Sequence, residues 1–180
     1  MIFNLRSKKG QSLIEAMVAL SVLTVGFLGI ISLLSKSFFY GRYVSDTMKA
    51  TYLASEGVEI TKSLIDHDVL LALAGDGGGW GSCFSLSPGD SKDFELDYST
   101  TCDTLFQYLD QPLLLDNNTG LYGYASSGNT VPTNFTRLIR VTESVDGSEI
   151  TVKSIVTWST GYLTTQSIDM EDQFYNWRLK

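Results

Sequence analysis

From Ala16 to Ser35 the chain runs for twenty residues without a charge, mostly as Ala, Val, Leu and Ile. As a helix rising about 1.5 Å per residue, such a run spans about 30 Å, the thickness of a bilayer's hydrocarbon core. After Lys36 the chain continues to about Leu73 without Pro. At 100° per residue, Tyr40, Val44, Met48, Ala54, Val58, Ile65 and Val69 fall on one stripe, which predicts an amphipathic second half of the helix lying under a globular domain. Leu53, Ile60 and Leu64 fall on the opposite side, to be covered by a neighbouring chain or by burial all round. Gly57 interrupts this helix at a cost of about 1 kcal/mol, and the pattern supplies no reason for it. Gly75–Gly81 (GDGGGWG) ends the helix.

The period changes to two from Arg137. Arg137–Ser144 and Glu149–Ser159 flank Val145-Asp146-Gly147-Ser148, whose Asp-Gly is a strong hairpin signal. Ile150, Val152, Val156 and Trp158 alternate with Thr151, Lys153 and Thr157. A third strand, Tyr162–Met170, follows Gly161. The three form an antiparallel meander whose apolar face needs cover, and the helix over residues 40–70 is the obvious partner. The fold class is therefore α+β, a long N-terminal helix packed on a small antiparallel sheet.

Composition narrows the function. Thirteen Lys and Arg stand against twenty Asp and Glu, a net charge of −7. The first ten residues hold Arg6, Lys8 and Lys9 and no acid, which leaves the remainder at −10. So acidic a chain suits nucleic acid poorly, since phosphate neutralisation needs a basic face. A local basic patch of Arg137, Arg140 and Lys153 stays open as an exception. The basic leader should stay cytoplasmic and everything after Lys36 should lie outside. A cleaved secretory signal would have an apolar region of roughly 7–15 residues and a small-x-small site after it; here the run is longer and KSFFYGRYV follows. A plain signal anchor fits the length but leaves Glu15, beside the apolar run, as a merely interfacial residue.

Lys8-Lys9-Gly10-Gln11-Ser12-Leu13-Ile14-Glu15 makes Glu15 specific. It resembles the processing site of type IV prepilins and pseudopilins, a basic leader ending in Gly and then a hydrophobic helix with Glu as its fifth residue. The resemblance implies that a membrane-embedded prepilin peptidase cuts between Gly10 and Gln11 on the cytoplasmic side and methylates the new Gln11 amine. Gln11 departs from the family's usual Phe or Met, and Ser12 replaces the commoner Thr. A free α-amine has an ordinary pKa of about 7.7–8, so it is largely cationic at neutral pH. A buried cation and a buried carboxylate are each costly alone and tolerable together. In a helical stack, Glu15 of one subunit could thus face the Gln11 amine of the next and reward correct register. The run Arg137-x-x-Arg140-Val141, Val156-x-Trp158 and Asp172 to Trp177 looks more like minor pilins or minor pseudopilins than a major pilin.

The resemblance divides the chain into a leader over 1–10, a transmembrane and assembly helix over 11–35, an amphipathic helix over 36–74, a loop-rich region over 75–136, and a β-meander with a C-terminal segment over 137–180. Cys83 and Cys102, with eighteen residues between them, are expected to be bonded outside the cytoplasm. Such a closure stabilises by roughly 3 kcal/mol on the loop-entropy argument.

Other chemistry is thin. One His and two Cys supply too few ligands for a zinc site, so neither metal nor cofactor is expected. His67 lies between Asp66 and Asp68, but consecutive helical side chains diverge by about 100°, which favours a solvated helix end. Asp116-Asn117-Asn118-Thr119-Gly120 begins like a calcium loop without the downstream Glu, and turn chemistry accounts for it. The triple glycine is followed by no GKS or GKT, which argues against a phosphate cradle. Asn117 and Asn134 fit a glycosylation pattern too common to weigh. Trp80, Phe84, Tyr98, Tyr108, Tyr122 and Tyr124 suit an irregular core better than an adhesive surface. No catalytic motif appears, so no enzymatic activity is expected.

The expected function is that of a minor structural subunit of a type IV pilus or secretion pseudopilus. It would sit in the inner membrane with its N-terminus cytoplasmic and later join a periplasmic or extracellular fibre. The resemblance implies as partners the prepilin peptidase, other pilin subunits, the inner-membrane assembly platform with its cytoplasmic ATPase, and membrane lipid before assembly. The alternative is a membrane-anchored extracytoplasmic binding or sensor domain that never polymerises.

Overall fold

The computed structural model describes residues 9–126, 128–159 and 165–177, with side chains from residue 12 onward. Most of the expected leader, together with Gly161 and residues 162–164 at the start of the expected third strand, lies outside the described residues. The chain divides into two units, residues 1–44 and 45–180.

The helix α1 runs from Lys9 to Ala74. Its end is a Schellman closure, in which Gly75 N–H donates to the Ala72 carbonyl (3.2 Å) and Asp76 N–H to that of Leu71 (3.1 Å). Gly75 supplies the left-handed residue this closure requires, at φ 81°.

In the second unit the buried stripe of α1 comprises Ala50, Leu53, Ala54, Gly57, Val58, Thr61, Leu64, Ile65, Asp68 and Val69. This corrects the sequence-based face in two respects. Leu53 and Leu64 belong to the buried stripe, and Tyr40, Val44 and Met48 are exposed. The buried positions recur every three or four residues and so form one broad stripe, wider than the narrow one extrapolated from residue 40. Ile60 is half-buried at its margin.

Among the described residues, seven antiparallel strands build the sheet. They are β1 (Ser91–Glu95), β2 (Phe106–Gln107), β3 (Pro112–Asp116), β4 (Tyr122–Gly123), β5 (Thr130–Glu143), β6 (Glu149–Ser159) and β7 (Thr165–Tyr175). β5, β6 and β7 make the meander, paired through Phe135↔Trp158 to Glu143↔Ile150 and through Glu149↔Tyr175 to Ser159↔Thr165. The other edge of β5 is shared: its first half pairs with β3 and its second half with β1. The stretch over 75–136, read from sequence as loop-rich, thus contributes four strands and the start of β5 among the described residues. The four are short, and three of them, β1, β2 and β4, lack an apolar alternation of their own. β3 and β1 are recruited by the long β5, a partner that local pattern does not reveal. β5 also starts earlier than expected, at Thr130, and β7 runs on to Tyr175.

Period two sorts the meander cleanly. Phe135, Arg137, Ile139 and Val141 of β5, with Ile150, Val152, Ser154, Val156 and Trp158 of β6, face inward and are buried. Two apolar clusters result. One gathers Val58, Leu64 and Ile65 with Phe84, Phe94, Leu96, Ile139 and Val152. The other gathers Ala50, Leu53 and Ala54 with Leu113, Phe135, Val156 and Trp158.

At Gly57 the helix lies close against the sheet. A Cβ added there would lie 2.5 Å from Ile139 Cδ1 and 2.5 Å from Ser154 Oγ. The propensity loss has a packing cause that sequence alone did not show.

Candidate functional site

The apolar half of α1 is the first element of interest. Gly10 lies in the first turn and Gln11 follows it in the helix. From residue 12 to 44 every described side chain is exposed, including Leu13, Ile14, Met17, Val18, Phe27, Leu28 and Leu33. Ser21, Thr24 and Ser35 return their hydroxyls to the carbonyls of Met17, Ser21 and Ile31, so these polar groups are satisfied within the helix. A helix apolar on all sides must be buried by something outside the chain, either lipid or other helices. Among the described residues it is the one helix long and apolar enough to cross a membrane.

Glu15 stands exposed within this surface, with no hydrogen-bond or ion-pair partner among the described residues. A carboxylate placed in an apolar surround without a partner is costly. Its position therefore calls for a cation or for water.

The globular unit is held to its part of α1 by two polar anchors. Asp68, 3% exposed, accepts from Ser82 Oγ at 3.1 Å and from the backbone N–H of Cys83 at 2.5 Å. Cys83 is bonded to Cys102, with their Cα atoms 5.0 Å apart. The helix end is therefore tied to the disulfide, and Asp68 is not a solvated residue as the sequence suggested. Its neighbours Asp66 and His67 are exposed. Asp68, Cys83 and Cys102 also form a cluster of potential metal ligands, their atoms within 4.8 Å of one another. The two sulfurs are bonded to each other, so neither is a free thiolate.

The second anchor is Arg137. Its guanidinium is fully buried and donates from Nη1 to the Leu53 carbonyl (3.0 Å) and from Nη2 to the Leu96 carbonyl (2.5 Å). Glu56 Oε2 lies 3.3 Å from Nη1, and Nε has no acceptor. One side chain of β5 thus joins α1 to the chain just after β1.

Two further buried carboxylates organise loops. Glu95 accepts from the N–H groups of Leu109 (3.0 Å) and Gln111 (2.8 Å). Asp97 accepts from Ser99, Thr100 and the Tyr124 N–H. Burial pushes the Asp97 carboxyl up, but the hydrogen bonds from Tyr124, Ser99 and Thr100 outweigh it and hold it below the ordinary value. Tyr124 is pushed up chiefly by burial, and its hydroxyl donates to the Arg137 carbonyl at 3.1 Å. Tyr122 and Tyr124 pack on the core and Phe84 lies within it, whereas Tyr98 is exposed.

The basic patch suggested by the sequence does not form. Arg137 is internal, Arg140 is bound by both oxygens of Asp93 (2.7 and 2.8 Å), and Lys153 lies 2.6 Å from Asp169 and 3.9 Å from Glu171. Outward-facing cations in the middle of the sheet are neutralised by acids on the flanking strands. The Asp116 segment is the β3–β4 turn, closed by Gly120 N–H to the Asp116 carbonyl (2.7 Å) and Asn118 N–H to Asp116 Oδ1 (2.8 Å).

The sequence reading missed Asp68 and Arg137 as structural anchors. The signals were present: Asp68 falls on the helical spacing of Thr61 and Ile65, and Arg137 on the inward parity of Ile139 and Val141.

The chain matches the prokaryotic N-terminal methylation motif over residues 5–31. That motif, with the exposed apolar helix, is consistent with a processed subunit of type IV pilin or pseudopilin kind. The helix-on-sheet layout of the chain is pilin-like. No curated protein and no solved structure matches the chain.

Proposed function

We propose that this chain is a minor structural subunit of a type IV pilus or a secretion-type pseudopilus. The methylation motif over residues 5–31, on a helix apolar all round with Glu15 near its start, carries the reading. The peptidase cleaves between Gly10 and Gln11 and methylates the Gln11 amine. The helix waits in the inner membrane, N-terminus cytoplasmic, and then exchanges lipid for the helices of neighbouring subunits. Both environments cover its apolar surface, so the transfer exposes little of it to water.

Glu15 supplies direction. In lipid it stays near the interface; in the fibre it pairs with the α-amine of an adjacent subunit, and the pair is satisfied at one axial register. The globular unit, braced by Asp68 and Arg137, takes no catalytic part. The assembly platform and its ATPase supply the work of extraction.

The test is Glu15→Ala, followed in membranes and in sheared fibres. The expected protein is inserted and cleaved normally but falls at least about tenfold in the fibre fraction, the loss of roughly 1.4 kcal/mol or more of subunit contact. Undiminished incorporation would remove the pairing mechanism, and absence of both the parent and the variant from the fibre fraction would favour a membrane-anchored domain.

A further inference from the structure

β1, β2 and the chain after β4 enclose a cavity of about 500 Å³. Glu95 lines it from β1, Phe106 from β2, Asp97 and Ser99 from the turn after β1, and Leu109 and Gln111 from the loop after β2. Glu95 and Phe106 stand directly opposite in the β1–β2 register. Both side chains therefore leave the same face of the sheet, their Cβ atoms about 5 Å apart. Glu95 is 3% exposed, Phe106 61% and Leu109 67%. A carboxylate thus forms the floor of the cavity and two apolar side chains its rim.

One oxygen of that carboxylate is unused. Oε1 accepts from the N–H groups of Leu109 (3.0 Å) and Gln111 (2.8 Å), which fix the side chain in place. Oε2 has no hydrogen-bond partner among the described residues and is left to the cavity. A buried carboxylate is costly without a donor or a counter-charge.

The surroundings offer no free cation. From Asp93 to Gln111 the chain carries Asp93, Glu95, Asp97, Asp103 and Asp110, with no Lys, Arg or His. Arg140, opposite Asp93 on the same outward face, gives its fork to both Asp93 oxygens. Lys92 donates to the carbonyls of Phe84 and Ser85, and Arg137 to those of Leu53 and Leu96. The charge on Glu95 therefore favours a cation from outside.

The lining selects among cations. Calcium takes about six to eight oxygens, whereas Asp97 already accepts at both of its own, from Ser99 and Thr100 at Oδ1 and from the Tyr124 N–H at Oδ2. A guanidinium fork engages two oxygens at once, and Glu95 Oε1 already takes two N–H groups. An ammonium is a point charge that needs one carboxylate oxygen. Its other donors suit the hydroxyl and carboxamide oxygens of Ser99 and Gln111, and its carbon stem suits Phe106 and Leu109.

We propose that this cavity binds a primary ammonium on an aliphatic stem, with the charge on Glu95 Oε2 and the stem along Phe106 and Leu109. The site lies wholly within the globular unit. It holds whether or not the chain is processed and assembled.

Full-length protein labelled with nitrogen-15, in an uncharged detergent at neutral pH, is titrated with n-pentylamine and with the peptide acetyl-Gly-Lys-Gly-amide. The amide resonances of Leu109 and Gln111 report on Glu95. The expected result is that at least one compound shifts both amides and saturates below about 10 mM, while the N-acetylated counterparts, which keep the stem and lose the charge, shift neither. Saturation by the peptide assigns the ammonium to a lysine of a partner chain, and saturation by pentylamine alone assigns it to a free amine. Glu95→Gln keeps an acceptor for both N–H groups, and Phe106→Ala alters an exposed residue; each weakens binding by about fivefold or more. Should Glu95→Gln fail to fold, Phe106→Ala and the acetylated compounds carry the test. Absence of saturable shifts with both amines up to about 10 mM overturns the proposal. So does binding that the acetylated compounds match or that Phe106→Ala leaves intact.

Discussion

Arg137 on β5 donates to the Leu53 carbonyl on α1 at 3.0 Å, a bond made by a fully buried guanidinium across the helix–sheet interface. The same group bonds the Leu96 carbonyl and stands 3.3 Å from Glu56. Arg137→Met keeps the apolar stem and removes both charged hydrogen bonds. It also leaves the Glu56 carboxylate, 34% exposed, without its cation. We expect a loss of about 3 kcal/mol in chemical denaturation of the full chain. Glu56→Gln should lose less than about 1 kcal/mol, because a partly solvated carboxylate contributes little.

Gly57→Ala sets two effects against each other. Helix propensity favours Ala by about 1 kcal/mol. The new methyl, however, would sit 2.5 Å from both Ile139 Cδ1 and Ser154 Oγ, in residues with no exposure of their own. Overpacking of this kind costs about 1–3 kcal/mol, so the net change is destabilising. A rise in melting temperature would show that helix and sheet separate freely at this point.

Removal of the disulfide should act at the helix end. Cys83→Ser with Cys102→Ser should cost roughly 3 kcal/mol. Because Asp68 accepts from the backbone N–H at position 83, the loss should be accompanied by faster hydrogen exchange at that amide. Unchanged exchange there would mean that Asp68 alone holds the segment.

Acid should weaken the globular unit in a defined window. Asp97 is held below the ordinary carboxylate value, burial opposing and the hydrogen bonds from Tyr124, Ser99 and Thr100 prevailing. Asp146 is lowered to about 2 by Ser144 and Ser148 in the β5–β6 turn. For both groups the native state binds fewer protons than the unfolded chain. Their contribution is complete above about pH 4, the ordinary carboxylate value, and disappears as the pH falls through the native values. Glu143 works the other way, since burial and then Asp90 raise it. Denaturation midpoints should therefore fall between pH 5 and pH 2.5, two round values about the carboxylate range, and fall less steeply in Asp97→Asn. A slope unaltered by that substitution would contradict the assignment.

The parts of this fold carried by one residue's neighbours in sequence were legible. The apolar run from Ala16 to Ser35, the Asp146-Gly147 hairpin and the Cys83–Cys102 pairing all have local signatures, and the structure contains the helix, the hairpin and the bond. What depended on distant partners was not. β1 and β3 exist because β5 is long enough to pair with both, and Gly57 is small because Ile139 and Ser154 approach it. Tyr40 and Val44 misled the helical stripe because they lie in the first unit, where every described side chain is exposed whatever its face, whereas Ala54, Val58, Ile65 and Val69 of the same stripe are buried. The motif at the candidate cleavage site was plain from sequence, since a leader, a glycine and an acid at fixed spacing need no third dimension.

The central claim is that the chain is cut after Gly10 and works as an assembled subunit. The most direct measurement is the intact mass and N-terminal residue of the protein recovered from native membranes and from sheared fibres. The account predicts a chain beginning at N-methylated Gln11 in both fractions. A chain still beginning at Met1, in cells whose prepilin peptidase is active, would contradict it.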